Sequence, residues 1–332
     1  MDARPWWRYV AAPMVNQSDL AFRLTAVHYG ATATWTQMYH TQELEQRDVY
    51  ETLVHALEQG RCADAAHDAV TGERTPQIVQ LAGDDPQQLA DAAKKVAAYA
   101  DGIDLNLGCP QRRAKDGHYG AYLLARREWP LVEQLTSALA HATPLVVSTK
   151  IRLCDYAPDT VALALRLAHA GSSFITLHGR HVAINRRRAH SAKLEYVAEI
   201  RRALLEAGAH ASQQGGSTRV LSNGNVRCWD CIVSSLEYTG ADGIMVGEPL
   251  LEQPSLFSSS LGRTPTWRES MHTYLRFCRA YPLDSLPISR VHQHVQYMVR
   301  GGLPHGREAR RWEDALKAAN SVDAMLALVE AQ

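Results

Sequence analysis

Eight short segments with strand-like alternation of apolar residues recur between Arg8 and Val246, and amphipathic helical patterns separate them. The strand patterns cover residues 8–14, 31–38, 77–81, 102–108, 144–151, 174–178, 219–223 and 242–246. The helical patterns cover residues 19–29, 86–100, 121–140, 158–170, 193–207, 228–238 and 250–258. Because parallel strands need long, usually helical, crossover connections, this alternation favours a parallel sheet.

The number, order and length of these units predict an α/β fold of the (β/α)8 TIM-barrel type. After Pro265 the pattern becomes helical only, over residues 266–281, 288–300 and 308–331. We therefore predict a barrel domain over residues 1–262 and a small all-helical domain over residues 263–332. A doubly wound sheet is disfavoured, because no GxGxxG fingerprint follows the first strand.

Charge is balanced over the chain but not along it. The 332 residues include 35 Lys and Arg and 35 Asp and Glu, so the net charge does not indicate a nucleic-acid partner. From Arg263 onward, however, ten basic residues face seven acidic ones. The predicted helical domain is therefore the more basic part of the chain.

The six cysteines form no regular framework, and we recognise neither a cleavable signal nor an apolar run of membrane-spanning length. We expect a cytoplasmic protein, with the nucleus left open, and no membrane or metal partner. Cys228 and Cys231 form a CxxC pair without a second pair, which argues against zinc. A redox dithiol and two buried thiols in one helical turn are the two readings of this pair.

The fourth strand pattern ends in the most distinctive segment of the chain. Apolar residues alternate with Asp104 and Asn106, and the strand stops at Gly108-Cys109-Pro110 because proline lacks an N–H group. Cys109 is thus presented at a strand tip, where parallel α/β proteins place their chemistry. A lone cysteine is otherwise commonly a small buried apolar residue.

Polar residues fall on the inward face of five consecutive strands. Period two predicts that these side chains converge at one mouth of the barrel beside Cys109: Gln80, Asn106, Lys150, His178 and Asn223. A buried lysine is rare unless it is paired. Glycine-bearing tips at Asn223-Gly224-Asn225 and Gly247-Glu248 add a phosphate signal, because backbone N–H groups there can approach an anion. The set indicates a large polar ligand.

These residues resemble the tRNA-dihydrouridine synthases. The matching pieces occur in family order along the whole barrel: Ala12-Pro13-Met14, Gln80-Leu81-Ala82-Gly83, Leu105-Asn106-Leu107-Gly108-Cys109-Pro110, Lys150-Ile151-Arg152, Leu177-His178-Gly179-Arg180, Ser222-Asn223-Gly224-Asn225 and Gly240-Ala241-Asp242-Gly243-Ile244-Met245. The helical tail is similar to the RNA-binding domain of the family.

The resemblance implies an FMN enzyme that reduces the C5–C6 double bond of a tRNA uracil, with NADPH or NADH as reductant. It implies flavin hydride transfer to C6 and Cys109 as proton donor to C5, since an ordinary thiol is protonated at neutral pH. Cofactor-binding residues by resemblance are Pro13, Met14, Val15, Gln80, Lys150, His178, Asn223, Gly224, Asn225, Gly247 and Glu248. Asn106 and Arg152 are implied to contact the uracil. We expect a monomer that binds tRNA.

The segment from Gln111 through Ala114-Lys115 and residues 117–121, with Glu248, resembles eukaryotic-type enzymes acting at tRNA positions 16 and 17. The run Arg186-Arg187-Arg188 departs from that pattern, and both a tRNA phosphate contact and a solvated loop stay open for it. The alternatives are a barrel flavoprotein that reduces a small free pyrimidine or enone, and a non-catalytic tRNA-binding protein.

Overall fold

The computed structural model describes residues 4–182, 191–283 and 286–331. Eight parallel strands close into a barrel in chain order, which confirms the predicted fold class. The strands are β1 (Tyr9–Ala11), β2 (Ala33–His40), β3 (Gln77–Ala82), β4 (Gly102–Leu107), β5 (Val146–Leu153), β6 (Phe174–His181), β7 (Arg219–Asn223) and β8 (Gly243–Val246).

Helices follow the strands and continue beyond the barrel. The α-helices are α1 (Leu20–His28), α2 (Arg47–Cys62), α3 (Pro86–Val96), α4 (Arg112–Asp116), α5 (Trp129–Ala142), α6 (Asp159–His169), α7 (Glu195–Glu206), α8 (Trp229–Thr239), α9 (Glu248–Glu252), α10 (Trp267–Ala280), α11 (Ile288–Gly302), α12 (Arg307–Ala318) and α13 (Val322–Glu330). Short 3-10 helices lie at Glu43–Glu45, Asp64–Ala66, Gly120–Leu124, Arg126–Glu128 and Leu256–Leu261.

The helix ends follow local chemistry. Asp19 and Asp85 cap α1 and α3, because each carboxylate accepts the backbone N–H three residues ahead, and Pro86 starts α3. Thr266 and Glu269 form a reciprocal capping box at the start of α10. These boundaries were readable from the sequence.

Several predicted boundaries were wrong. The helix predicted over 308–331 is divided into α12 and α13, because Ser321 caps a new helix by accepting the N–H of Ala324. The stretch predicted as helical from residue 121 begins with 3-10 turns, and α5 starts only at Trp129. The sequence analysis also missed α2 and α4.

By contacts the chain divides into two compact units. The first contains Met1–Gln37, Glu51–Pro76 and Val246–Gln332, and the second contains Met38–Tyr50 and Gln77–Met245. In the second unit β3 to β8 pair in register, so that Gln80 lies beside Asp104, Asp104 beside Ser148, and Asn106 beside Lys150. Period two therefore turns these side chains to one face of the sheet, while their apolar neighbours turn to the other.

The first unit contains a buried cluster of polar and aromatic side chains, which we call the α1–α11 cluster: Asp19, Phe22, Tyr274 and His294. The His294 ring is fully buried and stacks on Phe22, with ring centroids 5.1 Å apart. Its Nε2 atom lies 2.8 Å from Oδ2 of Asp19, although neither atom meets hydrogen-bond geometry there. The cluster ties α1 to α10 and α11 through close packing.

Within the described ranges no helix has the length and apolarity needed to cross a bilayer. Over the same residues, 4–182, 191–283 and 286–331, no group of three or more His, Cys, Asp or Glu could hold a metal ion. The Arg186-Arg187-Arg188 run lies outside the described residues.

Candidate active site

A hydrogen-bonded network of side chains connects β3, β4 and β5 inside the second unit. Gln80 Nε2 donates to Asp104 Oδ2 at 2.6 Å, and Asn106 Nδ2 donates to Gln80 Oε1 at 2.8 Å. The Ser148 hydroxyl donates to the other oxygen of Asp104. Since each of these polar groups is buried, the bonds offset the cost of removing them from water. The network fixes the orientation of the Asn106 amide.

Asn106 in turn fixes Cys109. Its Oδ1 accepts the backbone N–H of Gly108 at 3.0 Å and that of Cys109 at 2.9 Å. The carbonyl of Cys109 accepts the N–H of Ala121 at 3.1 Å, so the cysteine backbone is held from both sides. The half-buried thiol is therefore presented from a rigid strand end, as the sequence predicted.

The loop that returns to Cys109 depends on Gly120. Gly120 has φ +68°, and a Cβ added there would lie 2.9 Å from the Cys109 carbonyl oxygen and 3.1 Å from the Cys109 Cβ. Only glycine fits both the left-handed backbone and this close approach. The residue at position 120 thus helps to set the position of the cysteine.

Lys150 projects into the barrel from β5. Within the described part of the chain its Nζ donates one hydrogen bond, to Asn223 Oδ1 at 3.2 Å. This bond joins β5 to β7 past the intervening β6, so both side chains must point inward. Asn223 is oriented by a second bond, from its Nδ2 to the Met245 carbonyl at 2.7 Å.

Burial, with a smaller contribution from the positive charge of Arg152, lowers the pKa of Lys150 to about 8. The Asp104 and Cys109 side chains raise this pKa and partly compensate. Lys150 keeps some accessible surface, but protein atoms replace most of the water around its ammonium group. At neutral pH the group is therefore mainly a protonated cation.

His178 lies at the same mouth, on β6 beside Asn223 on β7. Burial and the charges of Lys150, Arg152 and Arg180 lower the pKa of His178 well below its ordinary value. Its Nε2 lies 2.8 Å from an Arg180 nitrogen. Because a guanidinium can only donate, Nε2 must accept and the proton of the neutral ring must be on Nδ1.

The turn after β7 is held in an unusual backbone conformation. Gly224 has φ +125° and Asn225 has φ +57°. The Asn225 amide exchanges two hydrogen bonds with the backbone of Ala192, at 2.7 and 2.8 Å, and its oxygen also accepts from Arg180 at 3.3 Å. A Cβ at Gly224 would lie 2.7 Å from the Ala192 Cβ, so the turn packs closely on the segment after β6.

Several hydrogen-bond donors lie at this mouth among the described residues. Arg152 donates from Nε to the Gly108 carbonyl at 2.8 Å and is half-buried. The Thr176 hydroxyl on β6 is buried and has no hydrogen-bond partner among the described residues. Lys150, Arg152 and Arg180 bring positive charge to His178, and the Asp104 carboxylate acts on Lys150. This arrangement suits an anionic ligand with several acceptor atoms.

The remaining predicted residues belong to the first unit: Pro13, Met14, Val15, Gly247 and Glu248. Pro13 and Met14 follow β1 in a turn that the Ser18 hydroxyl closes by accepting the Met14 N–H at 2.9 Å. Gly247 links β8 to α9, and an added Cβ would lie 3.4 Å from the Ala12 Cβ and 3.5 Å from the Met14 sulfur. Glu248 is the first residue of α9.

The sequence analysis did not include Asp104 and Arg180 among the site residues. Asp104 joins the amide network, and Arg180 contacts both His178 and Asn225. The alternation of side chains along a strand would have found them, since each lies two positions from a predicted residue and therefore on the same strand face. Gln80 was predicted correctly to face the interior, and both of its amide atoms bond within the protein.

A closed parallel barrel with convergent polar groups at the carboxyl ends of its strands is the architecture of (β/α)8 barrel enzymes. A family model described as dihydrouridine synthase (Dus) matches residues 10–326, and the chain therefore belongs to the dihydrouridine synthase family.

Two curated relatives agree with this assignment. The chain is 34% identical over 288 residues to the mouse (Mus musculus) "tRNA-dihydrouridine(16/17) synthase [NAD(P)(+)]-like" protein, covering 87% of this chain and 54% of that protein. It is 30% identical over 308 residues to the Saccharomyces cerevisiae tRNA-dihydrouridine(16/17) synthase [NAD(P)(+)], covering 91% of this chain and 67% of that protein. The chain thus spans about half of the length of the mouse relative.

Among solved structures, the complex of 2-naphthoyl-CoA reductase with 2-naphthoyl-CoA is similar with a TM-score of 0.56 and 12% identity. The similarity covers 77% of this chain and 50% of that chain. At this identity it shows a shared fold and nothing about function.

Proposed function

We propose that this protein is an FMN-dependent tRNA-dihydrouridine synthase that reduces a uracil of the tRNA D-loop at positions 16 and 17. Family membership supports the reaction class. The names of the mouse and yeast relatives support the positions and the use of NADPH or NADH. The observation that carries the proposal is the Cys109 thiol, whose backbone is held just after β4, beside the inward Lys150 ammonium on β5.

The residues at the barrel mouth fit FMN. A cationic site with a buried, unpartnered Thr176 hydroxyl and a Lys150 ammonium that has one amide partner can satisfy an anionic, acceptor-rich ligand. When bound, FMN supplies the hydride for uracil C6. We propose that it is held by Gln80, Lys150, His178, Asn223, Gly224 and Asn225, together with Pro13, Met14, Val15, Gly247 and Glu248.

Cys109 is proposed to donate the proton to uracil C5. Two backbone hydrogen bonds and the contact with Gly120 restrict its position, which lowers the entropic cost of meeting the base. Lys150 keeps positive charge at the mouth and stabilises negative charge that develops there. Neutral His178 adds a ring N–H donor at Nδ1 without adding a competing acid.

The uracil must leave the stacked tRNA fold before it can reach an interior thiol. Asn106 and Arg152 are proposed to bind it, Asn106 from β4 and Arg152 from β5. For the rest of the tRNA we propose the basic helical region over residues 263–332. Its arginines are suited to phosphate contacts: Arg276, Arg279, Arg290, Arg300, Arg307, Arg310 and Arg311.

The test compares Cys109→Ala with Cys62→Ala, which removes an exposed single thiol. Unmodified tRNA is incubated with each protein and NADPH, and dihydrouridine is mapped by mass spectrometry. We expect Cys109→Ala to purify with flavin absorbance but form no dihydrouridine, and Cys62→Ala to match the parent. Full activity of Cys109→Ala would remove the thiol from the mechanism. Product at other D-loop positions would overturn the positional part.

A further inference from the structure

The CxxC pair after β7 has a defined place in the fold. Cys228 is the N-cap residue of α8, with extended backbone angles of φ −151° and ψ 171°, and Cys231 lies in the first helical turn. Cys228 is exposed and Cys231 is half-exposed. Of the two sequence readings, the one with two buried thiols is therefore excluded for this pair.

The helix start brings the two sulfurs together. The Cys228 Sγ accepts the backbone N–H of Cys231 at 3.4 Å, as a serine does in a capping box, and the Cys231 side chain reaches back toward it. The two Sγ atoms lie 2.7 Å apart and share a hydrogen bond. Since α8 has 11 residues and its first turn sets this contact, bonding the sulfurs needs little movement of the chain.

The local electrostatics favour one thiolate in the pair. Partial burial opposes ionisation of Cys231, but hydrogen bonds from the Cys228 thiol and from nearby backbone N–H groups outweigh it and lower the pKa of Cys231. The shared hydrogen bond raises the pKa of Cys228, and the Asp230 carboxylate between the two cysteines acts in the same direction. One sulfur can therefore attack while the other keeps its proton until the second step.

We propose that Cys228 and Cys231 form a redox-active dithiol that exchanges with low-molecular-weight disulfides of the glutathione class. One cysteine thiolate attacks a sulfur of the small disulfide, whose S–S bond breaks and releases one small thiol. The second cysteine, after losing its proton, attacks the resulting mixed disulfide. The Cys228–Cys231 S–S bond forms, a second small thiol leaves, and the two electrons end on the small disulfide.

The other cysteines differ from this pair. Cys62 and Cys109 are single free thiols, and Cys154 and Cys278 are buried, which raises the pKa of each. These four supply internal controls in one experiment. Trypsin should release a peptide from Cys228 to Arg263 that contains only the two cysteines of the pair, and a peptide from Cys62 to Arg74 that contains only Cys62.

The full-length purified protein is equilibrated with reduced and oxidised glutathione at a series of ratios, quenched with acid, alkylated and digested. We expect the Cys228–Arg263 peptide to lose both alkylation sites together and to become lighter by two hydrogen atoms. The loss should reverse in reduced glutathione. Its extent should depend on the squared concentration of reduced glutathione divided by the concentration of oxidised glutathione. Two alkylated cysteines, or two separate glutathione adducts, at every ratio would overturn the proposal.

Single variants and denaturant test the role of the helix start. Cys228→Ser and Cys231→Ser should each stop at a mixed disulfide with one glutathione. In a denaturant that unfolds α8, the equilibrium constant for the Cys228–Cys231 bond should fall about fivefold, which is the size expected from losing a helix cap. An unchanged equilibrium constant would mean that the start of α8 does not favour the Cys228–Cys231 bond, and it would overturn the proposal.

Discussion

Two groups of ionisable side chains in this protein, one partly buried and one enclosed, are arranged in different ways. At the barrel mouth Lys150, Arg152 and Arg180 bring positive charge close to His178, and their hydrogen bonds include those to Asn223, the Gly108 carbonyl and Asn225. In the α1–α11 cluster one imidazole faces one carboxylate between aromatic rings. The first group brings like charges together in a partly buried site, whereas the second places one imidazole against one carboxylate.

The difference separates binding from folding. A buried charge without a matched partner costs free energy, and that cost is recovered when an opposite charge binds. The His294 ring and Asp19, enclosed by aromatic rings, instead hold helices together through packing. Substitutions at the barrel mouth should therefore reduce activity more than stability, and substitutions in the α1–α11 cluster should do the reverse.

The largest effect is expected for Lys150→Met. Loss of the ammonium should lower the rate of dihydrouridine formation by about 10²–10³-fold, since one preorganised electrostatic group is removed. The thermal midpoint should not fall, because a desolvated charge is replaced by an apolar chain. Lys95→Met is the control, because Lys95 pairs with Glu45 on the surface and should matter little. Near-parental activity of Lys150→Met would end the proposed role of this ammonium.

In the other cluster His294→Ala should reduce the free energy of unfolding by about 3 kcal/mol, because a fully buried ring is replaced by a cavity. Urea unfolding followed by circular dichroism measures this change. His272→Ala is the matched control, since the His272 ring contacts Glu330 at 3.1 Å on the surface and should cost less than about 1 kcal/mol. Equal losses for the two variants would contradict the contrast.

The pH dependence of stability gives a third test. The pKa of Lys150 falls from 10.5 when unfolded to about 8 in the fold, so the folded state binds fewer protons than the unfolded state between these values. The cost in folding free energy of burying the charged amine is complete below pH 8. It is lost as the pH rises toward 10.5, because the folded protein then loses this proton. Between about pH 7 and 9.5, the free energy of unfolding of the flavin-free parent protein should rise by about 2 kcal/mol relative to that of Lys150→Met. Urea titrations at each pH measure this gain, and a constant difference would show that burial does not perturb this amine.

The smallest expected difference concerns backbone fit at the thiol. Gly120 and Gly208 both have φ +68°, but an added Cβ contacts Cys109 at the first and nothing within 4 Å at the second. Each Gly→Ala change should cost about 1 kcal/mol for the left-handed backbone. Gly120→Ala should cost about 1 kcal/mol more for the contact and should also slow catalysis. Urea unfolding and initial rates measure both, and equal values for the two variants would argue against a positioning effect of Gly120.

The barrel and the inward residues could be predicted from sequence because both depend on local periodicity. Alternation with a period of two placed Gln80, Asn106, Lys150 and Asn223 on one face, and the structure agrees. The helix α2 was missed although its buried residues Leu53, Ala56, Leu57 and Gly60 follow the i, i+3, i+4, i+7 spacing of an amphipathic helix. The break before α13 depends on a cap at Ser321 that interrupts an otherwise continuous helical pattern.

What the sequence could not supply were the links between strands. The bond from Lys150 to Asn223 joins β5 to β7, and the bond from Arg180 to Asn225 joins β6 to the turn after β7. Their partners depend on strand register, which is a tertiary property. The direction of the Lys150 pKa shift likewise depends on burial that no local pattern records.

A series of hydrogen bonds leads from Ser148 through Asp104, Gln80 and Asn106 to the Cys109 amide. This series has a practical consequence for protein engineering. The loop bearing the thiol cannot be transplanted into another barrel as a cassette, because its anchor is distributed over three strands. A successful graft would have to carry the interior amides and the carboxylate with it. Conversely, a substitution at Ser148 would reach the Cys109 backbone through Asp104, Gln80 and Asn106, so it would also disturb side chains proposed to hold the cofactor and the uracil.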